Sequence, residues 1–187
     1  MTANTFLQIF FLIFSFLIIL RGLYIVLKGY KIFGKPPIHA SSFILSKLCA
    51  IIIIIYPVLI TLGLKNHTLI NHHYFICAGI GLYLLGMTLF VLALYNLNPV
   101  SLKFGLSTEK TKLQKDGLYR FSRNPIYLSL FIISLGSIIY SQNMLVLSCV
   151  IISTYLHVKI IIKEEHFLQD KFGMDWSEYK KEVRRFL

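Results

Sequence analysis

Residues 43–64 read FILSKLCAIIIIIYPVLITLGL, an almost unbroken apolar run with one charge, Lys47. About 20 such residues in a helix cross the hydrocarbon core of a bilayer, so this stretch reads as a membrane span. Pro57 inside it is acceptable, because neighbouring helices and hydroxyl side chains re-satisfy backbone groups that proline frees. Working outward, Phe6–Leu27 is a second run of the same kind, with Arg21 near its end, where a long side chain reaches the headgroups. It lacks the basic start and the small-residue cleavage site of a signal peptide and is expected to stay as a span. Tyr74–Leu97 is a third, and Gly79, Gly81 and Gly86 give it small faces for close helix packing. A polar stretch from Asn98-Pro99 to Asn124 is too charged to enter lipid. Pro125 then suits the first turn of a helix. The fourth apolar run, Ile126–Tyr140, has only about 15 residues, short for a full crossing. Ser141-Gln142-Asn143 forms a turn, and the fifth run extends from Met144 to about Ile162. The pair reads as a helical hairpin whose tip falls short of the far headgroups.

The expectation is an all-α integral membrane protein of about five transmembrane helices, one domain over residues 1–187. Residues 1–97 form a three-helix scaffold, and residues 98–187 hold the hairpin and an amphipathic tail. Composition agrees. The chain is 56% hydrophobic and 14% charged with mean hydropathy +0.70, whereas soluble domains carry about 25% charged residues. The net charge of +11 punctuates apolar runs, which suits juxtamembrane anchors and not a phosphate-binding face for nucleic acid. Lys28, Lys31 and Lys35 fall between spans one and two, and Lys47, just inside the second, is grouped with them. Lys103, Lys110, Lys112, Lys115, Arg120 and Arg123 fall between three and four, and seven bases follow from Lys159; the other side has only Lys65. This places the N-terminus outside and the C-terminus in the cytoplasm, as in a bacterial inner membrane or an equivalent one. Cys49, Cys77 and Cys149 lie in apolar runs without a CxxC pair and read as buried small hydrophobes.

Residues 1–108 contain no acid; Glu109 and Asp116 lie in the polar stretch and the other six acids in the tail. The short hairpin brings these two pieces together, setting Arg123 and Tyr127 near Glu164 and Glu165. An arginine fork suits a carboxylate or phosphate, and a glutamate accepts from ribose hydroxyls or an amino group. The cluster reads either as a polar cofactor pocket or as ordinary interfacial salt bridges. The tail is expected to be helical through Phe172, to break at Gly173 and to resume with Asp175 as N-cap and Glu178 as its partner. Phe167, Leu168, Phe172, Trp176, Tyr179 and Val183 give it an apolar side, fit for the interface or for closing a pocket. His67, His72 and His73 read as solvated loop residues, with no metal site expected. His157, inside the fifth run, either faces the pocket or snorkels.

Gly117-Leu118-Tyr119-Arg120-Phe121-Ser122-Arg123-Asn124-Pro125-Ile126-Tyr127 resembles the G-x-Y-x-x-x-R-H-P-x-Y signature of the isoprenylcysteine carboxyl methyltransferases and related phospholipid methyltransferases. Glu164-Glu165-x-x-Leu168, then Phe172-Gly173, Trp176, Tyr179, Val183 and Arg185, is similar to that family's tail. The resemblance implies a membrane enzyme that uses S-adenosylmethionine. It implies cofactor contacts from Leu113, Tyr119, Arg123, Asn124, Pro125, Tyr127, Glu164 and Glu165, with Arg123 and Glu164 catalytic. A lipophilic substrate, a prenylcysteine-like carboxylate or a lipid headgroup, is implied to enter laterally from the bilayer, and no obligate protein partner is evident. Three positions depart from the pattern. Asn124 replaces the His, Arg184 replaces a Pro, and Ile160 stands where carboxyl methyltransferases place a substrate-linked Arg, leaving Lys159 or Lys163 as differently aimed substitutes. NADPH-dependent sterol and enone reductases share parts of both motifs but use more spans than five; a non-catalytic membrane subunit is the remaining alternative.

Overall fold

The computed structural model describes residues 3–30, 34–66, 70, 73–97, 106 and 112–187. These form six helices: α1 (Ala3–Leu27), α2 (Ala40–Thr61), α3 (His73–Asn96), α4 (Pro125–Ser141), α5 (Met144–Phe172) and α6 (Met174–Glu182), with a 3-10 turn at Gly117–Arg120 before α4. Four of them, α1, α2, α3 and α5, are long and apolar enough to cross a membrane, and α4 is a shorter apolar helix. The fold is all-helical and multi-pass, as expected. Large side chains such as Leu12, Phe16, Ile19 and Leu23 stay exposed on α1, the outward face that lipid would cover.

The hairpin rests on contact between two backbones. A Cβ added to Gly86 would lie 2.6 Å from the Ile133 nitrogen, one on Gly79 2.7 Å from the Tyr140 nitrogen, and one on Gly136 2.3 Å from the Tyr83 nitrogen. Small residues are what allow helices to approach this closely where no hydrophobic effect drives association. Gly81 differs from the reading above: nothing lies within 4 Å of its hypothetical Cβ, because it faces away from α4.

Pro57 shows how a broken helical bond is repaired. It lacks an N–H, so the carbonyl four residues earlier, Ile53, loses its helical donor. Ser137 Oγ of α4 donates to that Ile53 oxygen at 2.8 Å, and the Tyr83 hydroxyl of α3 donates to the next carbonyl, Ile54. α2, α3 and α4 are thereby tied at mid-depth, around a core that includes Ile53, Tyr83, Met87 and Ile133.

α4 has 17 residues, about 25 Å at about 1.5 Å per residue, yet its tip meets the α2–α3 connection. Asn66 Nδ2 donates to the Ser141 carbonyl at 2.7 Å, and Gln142 and Ile70 exchange bonds of 2.6 and 2.9 Å. The tip therefore sits level with that connection. Gln142 takes a left-handed conformation (φ 47°) at the turn, and the Asn143 side chain accepts from Leu145 N at 2.9 Å to start α5. With 29 residues, α5 rises about 43 Å. It runs past the apolar core without interruption and carries Glu164 and Glu165 on a rigid rod.

Two local expectations change. Asp175 is not the cap of α6: Gly173 (φ 53°) joins α5 directly to α6, no side chain caps the helix, and Asp175 falls in its first turn, where its charge still suits the helix dipole. Cys77 is exposed, while Cys49 and Cys149 are buried; Cys77 lies on the opposite side of α3's first turns from the glycine face.

The glycine contact generates a paired test. Gly86→Ala is expected to lower stability by about 1–3 kcal/mol through overpacking against α4 backbone, whereas Gly81→Ala is neutral or slightly stabilising. Reversible unfolding in mixed detergent measures both; equal effects would remove the α3–α4 contact from its structural role.

Candidate functional site

The residues just before α4 are organised by backbone demands. Gly117 opens the 3-10 turn at φ 65°, where a Cβ would collide with the Asn96 side chain at the end of α3. The turn places Tyr119 inward, and the Tyr179 hydroxyl of α6 donates to the Tyr119 carbonyl at 2.6 Å. Burial, with Tyr179 and Glu164 nearby, drives the Tyr119 phenol well above its ordinary range. Burial also pushes Tyr179 up to about 12, against the lowering effect of Arg123. Both phenols therefore stay protonated near neutral pH, and that of Tyr179 is the donor in this bond.

Glu164 and Glu165 are adjacent, and about 100° of helical rotation separates their directions. Glu165, 7% exposed, turns toward the start of α4 and the chain terminus. Its carboxylate accepts from Arg123 (Nη2, 3.2 Å), Asn124 (Nδ2, 2.9 Å) and Arg185 (Nη2, 2.8 Å). Arg123 also donates from Nη1 to the carbonyls of Lys180 (3.1 Å) and Val183 (3.0 Å), and its backbone N–H donates to Arg184 at 3.0 Å. Ser122 Oγ adds a bond to the Arg185 carbonyl at 3.1 Å. One carboxylate and one guanidinium thus fasten the last residues of the chain across α5 and α4.

Glu164 turns the other way, into a cavity of about 970 Å³, at the upper end of the range of about 300–1,000 Å³ for small-molecule sites. Its Oε2 accepts from the Tyr127 hydroxyl at 3.0 Å. Of the residues singled out in the sequence, Leu113, Tyr119, Arg123, Asn124, Tyr127 and Glu164 line this cavity. Pro125 is buried as the first residue of α4, Glu165 faces the clamp, and Lys159 and Lys163 lie on the exposed side of α5; none of these four lines it. Lys159 Nζ sits 4.3 Å over the Tyr155 ring. Phe167, Leu168, Phe172, Trp176 and Tyr179 turn the apolar side of the tail onto the cavity, so the tail closes it. The rest of its wall is mostly apolar and comes largely from α1 and α2, including Phe14, Ile18, Ile44 and Ile51, with Arg21 and Lys47 as the charged residues of those two helices.

Two cavity groups take partners that the sequence does not show. Lys47 was counted with the loop charges, yet it stands in the second turn of α2 with Nζ 3.4 Å from His157 Nε2; an ionisable residue inside an apolar run is the signal that marks it. Arg21 lies near the end of α1 and lines the cavity. Its Nη2 donates to the Leu97 carbonyl at 2.6 Å, and its guanidinium rests against Tyr24 and Tyr95. Arg185, part of the quoted tail pattern, holds Glu165. His157 does face the cavity. His67, His72, Lys103, Glu109 and Lys110 lie outside the described residues.

Glu165→Ala leaves Arg123, whose side chain is 6% exposed, as a buried charge without its partner, a change that costs about 3–5 kcal/mol. Arg185 is 42% exposed, and its removal is expected to cost no more than about 1 kcal/mol. Amide exchange of α6 and the terminal residues checks this: strong deprotection in Glu165→Ala and little in Arg185→Ala.

Comparison with known proteins places these features. No curated protein and no solved structure matches the chain. Residues 74–175, more than half of the chain, match the family described as phospholipid methyltransferase. The matched span contains α3, the 3-10 turn, α4, α5 and the start of α6, hence Tyr119, Arg123, Tyr127 and both glutamates. The match supports neither a nicotinamide-dependent reductase nor a non-catalytic subunit. The chain belongs to the phospholipid methyltransferase family of membrane proteins.

Proposed function

We propose that this protein transfers a methyl group from S-adenosylmethionine to a lipophilic acceptor drawn from the bilayer, at the cytoplasmic face. The observation that carries this reading is the double character of one cavity. Glu164, Tyr127 and Tyr119 make a polar pole on α5, α4 and the 3-10 turn, while the walls from α1 and α2 are mostly apolar, with Arg21 and Lys47 set in them. A polar cofactor and a greasy acceptor have to meet at one point, and this shape accommodates both.

The donor set fits the cofactor. Glu164 offers a carboxylate for ribose hydroxyls or an ammonium, and Tyr127 fixes its orientation. Trp176, Tyr119 and Phe167 offer rings for an adenine and for a positive sulfonium. Leu113 and the start of α4 complete the contact surface, with Arg123 and Asn124 on its rim. S-adenosylmethionine supplies, when bound, a methyl carbon open to direct displacement, so the protein's task is alignment and exclusion of water. The tail helices exclude water, and Arg123 acts by holding them down through Glu165. Arg123 and Glu165 are therefore positioning residues in this reading, and Glu164 is the one that touches the cofactor. A carboxylate acceptor needs no base; an amine or hydroxyl acceptor has to lose a proton.

The orientation follows the charge distribution, with the basic loops and the tail in the cytoplasm and the N-terminus outside. The acceptor enters between helices along the apolar wall, since a lipid has no aqueous route to the cavity.

Calorimetry on purified protein in detergent, titrated with S-adenosylhomocysteine, tests the reading. Binding is expected, weakened about tenfold or more by Glu164→Ala and less by Tyr127→Phe, which removes one neutral bond. Absence of binding with NADPH bound instead contradicts it. Wild-type affinity in Glu164→Ala removes Glu164 from the cofactor site.

A further inference from the structure

Glu164 on α5 and Lys47 on α2 both line the cavity, and each acts on the other electrostatically. They do not touch: among the described residues, the carboxylate that forms the site's ion pairs is Glu165. Tyr127 of α4 stands beside both, its hydroxyl donating to Glu164 at 3.0 Å and its ring 6.0 Å from Lys47 Nζ. Lys47 Nζ also has His157 Nε2 of α5 at 3.4 Å and the Phe43 ring at 5.0 Å. Arg21 of α1 and, on the Glu164 side, Lys112, Arg123 and Lys171 add further positive charge. With these cations around one described carboxylate, another positive charge brought into the cavity is costly and works to expel a proton.

Lys47 is the cation placed to lose one. Arginine does not deprotonate in proteins, which removes Arg21 and Arg123. Lys112 is exposed to water, and Lys171 lies on the tail beside the rings of Phe167 and Phe172. A lysine held among apolar groups changes its protonation readily and can serve as a general base. His157 suits the neutral form. It is 1% exposed, and its Nδ1 lies 2.8 Å from the Ser153 carbonyl one turn earlier. A carbonyl only accepts, so Nδ1 carries the proton and Nε2 accepts from Lys47. One Nζ–H is held there in either state, and the neutral amine keeps its lone pair for the cavity.

Resting on the methyltransferase reading above, we propose that Lys47 is the general base of the methyl transfer, and that the positive charge of the cofactor releases the proton that makes it one. Lys47 comes from outside the stretch that matches the family, residues 74–175. S-adenosylmethionine brings a sulfonium, one net positive charge, into a cavity where the Lys47 ammonium already balances Glu164. Lys47 gives its proton to water, and the cavity returns to its former charge. In the transfer the acceptor's N–H or O–H proton passes to Lys47 Nζ. The freed electron pair forms the bond to the methyl carbon, and the carbon–sulfur bond breaks with its pair left on sulfur. The positive charge that leaves sulfur reappears on Lys47, opposite Glu164 again. The base is thus available only when a methyl group is there to deliver. A carboxylate acceptor, with no proton to lose, has no use for it.

Calorimetry of the full-length protein in detergent, run in buffers of different ionisation enthalpy, counts the protons released on binding. The probes are S-adenosylmethionine and S-adenosylhomocysteine, which differ by the sulfonium charge. Wild type is expected to release more with S-adenosylmethionine, by roughly half a proton or more at about pH 7.5. Its preference for that compound rises with pH, by up to about tenfold per unit. In Lys47→Met both compounds still bind, the excess release disappears, and transfer of labelled methyl to a membrane lipid extract falls about 100-fold or more. Lys47→Arg keeps the charge and loses both the release and the transfer; a lysine that served only as a charge survives this change. Excess release that persists in Lys47→Met comes from Glu164 or from the ligand and overturns the inference, as does wild-type transfer in Lys47→Arg. Equal release with the two compounds in wild type overturns it whether or not a variant folds. So does lipid label released by mild alkali, the mark of a methyl ester. Binding of neither compound to wild type contradicts the methyltransferase reading itself, and the inference falls with it.

Discussion

The Glu165 carboxylate is the interaction on which the functional end of the molecule depends. It gathers Arg123 and Asn124 from the start of α4 and Arg185 from the end of the chain onto one point of α5. It works together with the buried Trp176 and Tyr179 of α6 and with the Phe131–Phe186 ring contact, which also draw the end of the chain onto the site. Two charged side chains buried together are costly unless every donor and acceptor is used. Here Arg123 uses its spare donors on backbone carbonyls of the tail, so satisfying the charge and closing the cavity are one event. Because Glu165 takes up that work, Glu164 beside it is free to face inward.

The rest of the fold makes this end rigid. Glycines on α3 and α4 bring the two backbones into contact, and Ser137 and Tyr83 take over the carbonyls near Pro57. The position of α4 is therefore fixed by short contacts on two sides. α5 continues as a single rod from the far turn to Gly173, which transmits that fixed position to the glutamate pair. The site is built on helix ends, with the tail packed over it.

Much of this was legible in the sequence, since long apolar runs, loop charges and small-residue spacing are one-dimensional signals. The paired motifs carried the family, and the clustering of all eight acids after residue 108 carried the location of the polar pole. What escaped were directions. Glu164 and Glu165 look equivalent in a string, and only helical rotation sends one to the clamp and the other to the cavity. Lys47, at the start of the second apolar run, groups by charge with the loop anchors, and only the packing of α2 turns it toward the cavity. Gly81 and Cys77 have the same composition signal as Gly79 and Cys49, but lie on faces of α3 that meet no helix. Asp175 has the residue type of a cap, yet Gly173, with its positive φ, leaves no gap for one.

The central claim is that one cavity brings a polar methyl donor to a lipid. It is tested most directly by incubating the purified protein with methyl-labelled S-adenosylmethionine and a total membrane lipid extract, then following the label. The account predicts label in an organic-soluble lipid, lost when Glu164 is replaced by alanine. Label confined to the aqueous phase under conditions where S-adenosylhomocysteine binds would contradict it.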